Sequence, residues 1–231
     1  MWRCRERELR VFERVHVMGI LNVTPDSFSD GGLFLDPSVA IKQGLEMVAL
    51  GADIIDVGGE STRPGASPVA PDEEIRRVVP VIKALALTSD VAISVDTTKS
   101  SVAQAAIEVG ASIVNDVSAM RSDPNMVKVV SDSKVGVVLM HMQGEPGTMQ
   151  FDPQYEDVVE DVQDALMSAV NEALQAGISP DAIAIDPGIG FGKTARHNLQ
   201  ILNGFRVFAE QGYPVVVGPS RKAFIGSTLD V

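Results

Sequence analysis

Asp96, Asn115 and Asp186 each stand where a short β-branched run gives way to polar sequence. Residues at strand ends can converge on one axis however far apart they lie along the chain, and two carboxylates with an amide make a set of acceptors. Carboxylates withdrawn from water cost several kcal/mol unless something pairs with them. A flat heterocycle with an amidine-like edge, such as a pterin or guanine, supplies the paired N–H donors they need. Each of the three could instead cap the helix that follows it, since Asp and Asn are favoured there. Three such caps account for the whole pattern less well. Lys222, just after Ser220 and Arg221, adds a cation on the same edge, or else is a solvated surface lysine.

A second stretch, residues 53–66 (DIIDVGGESTRPGA), runs from an apolar strand into Gly58 and Gly59 and then into a polar turn. The glycines allow a tight turn and close approach to a ligand, while Ser61, Thr62 and Arg63 offer donors suited to phosphate or carboxylate oxygens. A Gly/Pro surface turn is the plainer reading. His141 has no second histidine at ligand spacing, so packing is preferred to metal binding. Met140, Met142 and Phe191 could sandwich a ring or simply fill core. Residues 188–194 (GIGFGKT) imitate a phosphate-binding loop, but the pattern requires a glycine where Pro187 stands. The dinucleotide fingerprint fails as well, because its third glycine falls one residue early.

The elements that must carry these residues repeat one theme, a β-branched run ending in a polar residue, a loop, and a helical pattern. Seven such runs occur, at 15–21, 54–57, 92–95, 113–114, 137–140, 183–185 and 214–218. Between them, Asp36 and Pro37 cap a helix carrying Ile41, Leu45 and Val48. Asp72, Glu73 and Glu74 open another along Ile75, Val78, Val79, Ile82 and Leu85, with a kink expected at Pro80. Val158, Val162, Leu166 and Ala169 mark an acidic helix, and Ile201, Phe205 and Phe208 a last complete one.

Such alternation, with strands apolar on both sides, argues for a parallel sheet wrapped by helices. A doubly wound sheet would gather its ligand groups at one switch point, whereas a (β/α)8 TIM barrel places them at the end of nearly every strand. The polar strand ends favour the barrel, as one domain over residues 1–231. Its eighth strand and helices would need roughly 40 more residues than the sequence contains.

The 231 residues are 45% hydrophobic, enough for a large core, and 19 basic against 31 acidic residues give a net charge of −12. That charge argues against nucleic-acid or anionic-membrane partners. With Cys4 the sole cysteine, no intrachain disulfide or thiolate zinc cluster can form, and Cys4 reads as a bystander. Neither a signal peptide nor an apolar run of membrane-spanning length is visible, so a cytoplasmic protein is expected.

MGILNVTPDSFSDGG at 18–32 and GADIIDVGGESTRPGA at 51–66 resemble the two signatures of dihydropteroate synthases. ISVDTTKS at 93–100, IVNDVSA at 113–119, LMHMQGEPGTMQ at 139–150, IDPGIGFGK at 185–193 and GPSRKAFIG at 218–226 continue the resemblance in order. It implies a TIM barrel, normally a homodimer, that joins 6-hydroxymethyl-7,8-dihydropterin diphosphate to 4-aminobenzoate with release of diphosphate, and that sulfonamides block. It further implies that Asp96, Asn115, Asp186 and Lys222 hold the pterin, with Met140 and Phe191 against its ring. Asn22 would lie near diphosphate and Mg²⁺. Thr62, Arg63 and Pro64 would enclose the aminobenzoate, with Gly218 and Ser220 nearby, and Asp26, Ser27 and Phe28 would belong to a first closing loop. Catalytic roles would fall to Asp96, Lys222 and Arg63. The family's eighth strand ends in an Arg-x-His motif that the sequence does not reach. The competing expectations are a pterin-binding methyltetrahydrofolate methyltransferase, against which STRPGA and SRK speak, and a binding-only fragment.

Overall fold

Six parallel strands follow one another around the sheet in strict chain order: β3 (Met18–Asn22), β4 (Ile54–Gly58), β5 (Ala92–Asp96), β6 (Ile113–Asp116), β7 (Gly136–Met140) and β8 (Ile183–Asp186). The computed structural model describes residues 1–24, 36–61, 68–145 and 147–229. A doubly wound sheet would reverse direction part-way; this one never does, as a TIM barrel requires. The run at 214–218 is represented by a parallel bridge from Val215 to Ile185, fixed by Ile185 N–H to Pro214 O at 2.9 Å and Val216 N–H to Ile185 O at 2.8 Å.

Alternation along the strands sorts the side chains into two sets. Leu21, Ile55, Val57, Ile93, Val95, Val114, Val137, Leu139, Ile183 and Ile185 face outward into the main core against the helices. Ile54, Ala92, Ile113, Val138 and Ala184 face the barrel interior near its N-terminal end. β3 to β6 share one register level at their tops, because Asn22 pairs with Gly58, Gly58 with Asp96 and Asp96 with Asn115; Asn115 then pairs with Val138, so Met140 and its partner Asp186 stand two residues higher.

The helices form where local chemistry starts them. α1 (Pro37–Ala49) begins at Asp36, whose Oδ1 accepts Ser38 N–H at 2.9 Å. α2 (Pro71–Thr88) has three acids in its first turn and buries Val78, Val81, Ile82 and Leu85. It continues as one helix through Pro80, which lies on its exposed side, so no break follows from that residue. α3 (Ser100–Glu108) and α4 (Met126–Ser133) complete the next two units, and Asp157 caps α5 (Val158–Gln175). The stripe through Ile201 and Phe208 is two helices rather than one. α6 (Ala195–Asn203) stops at Gly204 and α7 (Arg206–Ala209) restarts after Phe205, leaving both apolar residues buried across the break. α8 (Ala223–Leu229) follows Lys222. Among the described residues, no helix is long and apolar enough to cross a membrane.

The N-terminal residues, for which no element is expected above, form an antiparallel hairpin of β1 (Trp2–Cys4) and β2 (Arg7–Leu9). It closes the lower end of the interior: Trp2 donates its indole N–H to Ala182 O at 2.9 Å, and Trp2 and Cys4 lie buried against the bottom layer. Gly136 makes room for them, since a Cβ there would sit 2.6 Å from Cys4 Sγ. Burial pushes the Cys4 thiol up to about 12, consistent with an inert side chain.

Candidate active site

The upper rim of the barrel holds the predicted residues together. Asn22 ends β3, Asp96 ends β5, Asn115 lies in β6, Met140 ends β7 and Asp186 ends β8. Gly58 opens the space between two of them, because a methyl there would stand 3.4 Å from Asp96 Oδ2 and 3.6 Å from Asn22 Oδ1. Gly59 serves packing instead of ligand approach: its missing Cβ would lie 2.9 Å from both Glu74 and Val78 of α2.

Thr62, Arg63, Pro64 and the first-loop residues Asp26, Ser27 and Phe28 lie outside the described residues. Gly59 and Glu60, shortly before Thr62, are held by neighbouring side chains. Arg77 donates to Gly59 O at 2.9 Å, and Lys99 bridges Glu60 to Glu74, the latter only 1% exposed. Arg77 and Glu74 of α2 and Lys99 after β5 therefore converge on the two residues before Ser61.

Asp186 accepts Gly188 N–H at 2.7 Å, which folds the following loop back over β8. Gly188, with φ +68°, is obligatory there, since a Cβ would come 2.0 Å from His141 O. Gly190 lets the Lys222 stem pass at 2.9 Å from where a Cβ would be, and Lys222 Nζ stands 4.2 Å from the centre of the Phe191 ring. Met140 is buried with Val117, Met142 and Met149 in a small apolar wall on which Phe191 packs. The methionines thus fill core and present a wall at the same time. Gly218 and Ser220 are exposed on the segment leading to Lys222.

Desolvation dominates the electrostatics. It holds the Asp96 carboxyl well above the ordinary range, reinforced by Asp56, Glu74, Asp116 and Glu60. Asp186 rises to about 6 for the same reason, with Gly188 N–H, Lys193 and Lys222 pulling it back. Lys222 is lowered by burial against the pull of Asp186 and Asp96. These carboxylates are poised for a ligand that brings donors or positive charge. Since the ionised form of Asp186 is the better acceptor, affinity for a pterin should fall by up to about tenfold per unit as pH drops below about 6. Calorimetric titration of 6-hydroxymethylpterin between pH 5 and 8 checks this, and a flat profile would remove Asp186 from the ligand's contacts.

Two functional groups were not singled out from the sequence. Lys193, 3% exposed, donates to His141 Nδ1, Gly188 O and Phe191 O at 3.0 Å and to His141 O at 3.2 Å. It pins the loops after β7 and β8 to each other. Burial lowers it to about 7, with Asp186 opposing, and the buried His141 ring falls to about 3, so that ring stays neutral and accepts. Its signal was the GFGK sequence itself, set aside once the phosphate-loop pattern failed. Asp56, in the middle of β4, is the other: its Oδ2 accepts Asn115 Nδ2–H at 2.9 Å.

A parallel barrel with carboxylates, an amide and a cation around an apolar wall at its strand tops defines a pterin-binding TIM-barrel enzyme, and the Pterin binding enzyme family matches residues 18–231. The chain is 46% identical over 225 residues to the dihydropteroate synthase of Clostridium beijerinckii, covering 97% of this chain and 81% of that protein. The Xanthomonas albilineans dihydropteroate synthase with 4-aminobenzoic acid superposes with TM-score 0.91 at 46% identity, covering 98% of this chain and 80% of that one. The same organism's enzyme in complex with 7,8-dihydropteroate gives TM-score 0.88 at 42% identity, over 98% and 80%. The chain belongs to the dihydropteroate synthase family.

Proposed function

We propose that the protein condenses 6-hydroxymethyl-7,8-dihydropterin diphosphate with 4-aminobenzoate to give 7,8-dihydropteroate and diphosphate, a transferase step of folate biosynthesis. The observation that carries this reading is the placing of Asn22, Asp96, Asn115 and Asp186 at the ends of four strands of one parallel sheet, in a chain whose relatives are dihydropteroate synthases. The pterin edge donates to the carboxylates and Asn115, its ring lies against Met140 and Phe191, and Lys222 faces a ring acceptor. Thr62, Arg63 and Pro64, with Ser220 and Gly218, enclose the aminobenzoate and the anion.

An SN1-like order suits these residues. As the carbon–oxygen bond to diphosphate breaks, the methylene-pterin fragment becomes cationic, and carboxylates already aimed at the ring stabilise the charge as it appears. The aminobenzoate nitrogen then forms the new carbon–nitrogen bond and gives up one proton to the released diphosphate. No protein nucleophile is required. Arg63 supports the departing anion, and the loops exclude water from the cation.

Asn22 is exposed at the rim with its amide oxygen toward the cleft, and no group of three or more acids, histidines or cysteines that could hold a metal occurs among the described residues. A neutral amide oxygen suits a hard cation, and Asn22 would hold a Mg²⁺ ion there. When bound, the ion supplies charge neutralisation at the leaving group. A cytoplasmic homodimer is the assembly and location that accord with the family resemblance.

Purified protein given both substrates and Mg²⁺ should form dihydropteroate, and a sulfonamide should compete with 4-aminobenzoate. Transfer of a methyl group from methyltetrahydrofolate to a cobalamin protein, without dihydropteroate formation, would replace this reading with the methyltransferase one.

A further inference from the structure

Asp56 lies one layer beneath the rim. It faces the interior between Ile54 below and Gly58 above, and it is 2% exposed. Its Oδ2 is taken by the Asn115 amide, across the intervening strand β5. Its Oδ1 has no hydrogen-bond partner among the described residues, and neither has the hydroxyl of Ser94, its register partner on β5. A carboxylate in such a place is expensive, and an apolar side chain would fill the interior at lower cost. Packing therefore does not explain it. What it does accomplish is chemical, because an amide presents a donor at one atom and an acceptor at the other. With Nδ2 committed to Asp56, the atom of Asn115 that can accept from a ligand is Oδ1.

We propose that Asp56 is a positioning residue that fixes the Asn115 amide by accepting its N–H, so that the site selects a ring presenting an N–H donor to the Asn115 oxygen. The inference rests on the dihydropteroate synthase reading for the identity of that ring. Asp56 touches no substrate itself and acts through Asn115. Burial raises its carboxyl, while the nearby Ser94 hydroxyl and the Asn115 amide draw it down.

The test pairs two variants. Asp56→Val removes the acceptor but suits a strand interior, so the melting temperature should hold or rise. Calorimetric affinity for 6-hydroxymethylpterin should weaken about tenfold, with a matching rise in KM for the pterin diphosphate and none in KM for 4-aminobenzoate. Asp56→Asn keeps an acceptor oxygen and can donate toward Ser94, so it should restore pterin affinity. In the unsubstituted protein one Asn115 side-chain N–H should exchange slowly with solvent. Unchanged pterin affinity in Asp56→Val, equal damage in Asp56→Asn, a parallel rise of both KM values with a lowered melting temperature, or fast exchange of both Asn115 side-chain protons would each overturn the proposal. If the unsubstituted protein made no dihydropteroate, the functional reading would fall, while calorimetry and exchange would still judge Asp56.

Discussion

Replacing Asp96 with alanine should lower kcat/KM at least about a hundredfold and abolish measurable pterin binding, yet leave the fold as stable as before or more so. The two halves of this expectation share one cause. Asp96 sits at the top of β5 with its carboxyl held high by desolvation and by four neighbouring acids. Without ligand it is a cost to the fold, and with a donor-rich ring or a nascent cation it is a large gain. Alanine removes both. Kinetics with each substrate, calorimetry with 6-hydroxymethylpterin and a thermal melt form the set of measurements. Wild-type pterin affinity would remove Asp96 from the site, and a large drop in melting temperature would recast it as a structural residue.

Lys193→Met should act in the opposite sense and destabilise the protein by about 3 kcal/mol. Two magnitudes compete. Burial, with Lys222 adding to it and Asp186 opposing, disfavours the ammonium by on the order of 5 kcal/mol, since its pKa is lowered from 10.5 to about 7. The contacts to His141 Nδ1, His141 O, Gly188 O and Phe191 O are worth about 1.5–3 kcal/mol each when the donor is charged. The contacts win, and methionine would take the donor from His141 Nδ1, His141 O and Phe191 O, while Gly188 O keeps Phe191 N–H at 3.1 Å. Arginine should not rescue, because its planar fork cannot converge on acceptors packed around one atom. Urea unfolding checks the loss, and a variant within experimental error of the parent would show that water replaces the lysine. Loss of the nearby charge should also move the Asp186 titration above about 6, since Lys193 is one of the groups that draws it down.

What could be read from the sequence, and what could not, divides along physical lines. Asp96, Asn115 and Asp186 stood out because an apolar β-branched run that stops at a polar residue marks a strand end, and strand ends meet at a barrel mouth. Asp56 lies inside such a run, where alternation hides which face it takes. Lys193 falls in the 188–194 stretch that fails the phosphate-loop pattern, and nothing local reveals that four acceptors from two loops surround it. The hairpin at 2–9 has strands of three residues each, too short for a period to register among interleaved arginines and glutamates. Phe205 carried the helical spacing past Gly204, so one stripe stood for two helices. The Glu60, Lys99 and Glu74 bridge joins residues brought near only by the pairing of β4 with β5 and the helix between them.

The hairpin also bears on the order in which the chain can reach this structure. Trp2 is tied to Ala182, 180 positions away, and Arg5 N–H to Lys134 O, whereas neighbouring strands of the sheet pair with their nearest predecessors. Closing so long a loop is entropically costly, and the surface that repays it does not exist until β7 and β8 lie side by side. Residues 2–9 should therefore be among the last to gain amide protection in refolding and among the first to lose it. Until they dock, the lower end of the barrel exposes Ile54, Ala92, Ile113, Val138 and Ala184, an apolar ring that makes this late intermediate the species most prone to aggregate.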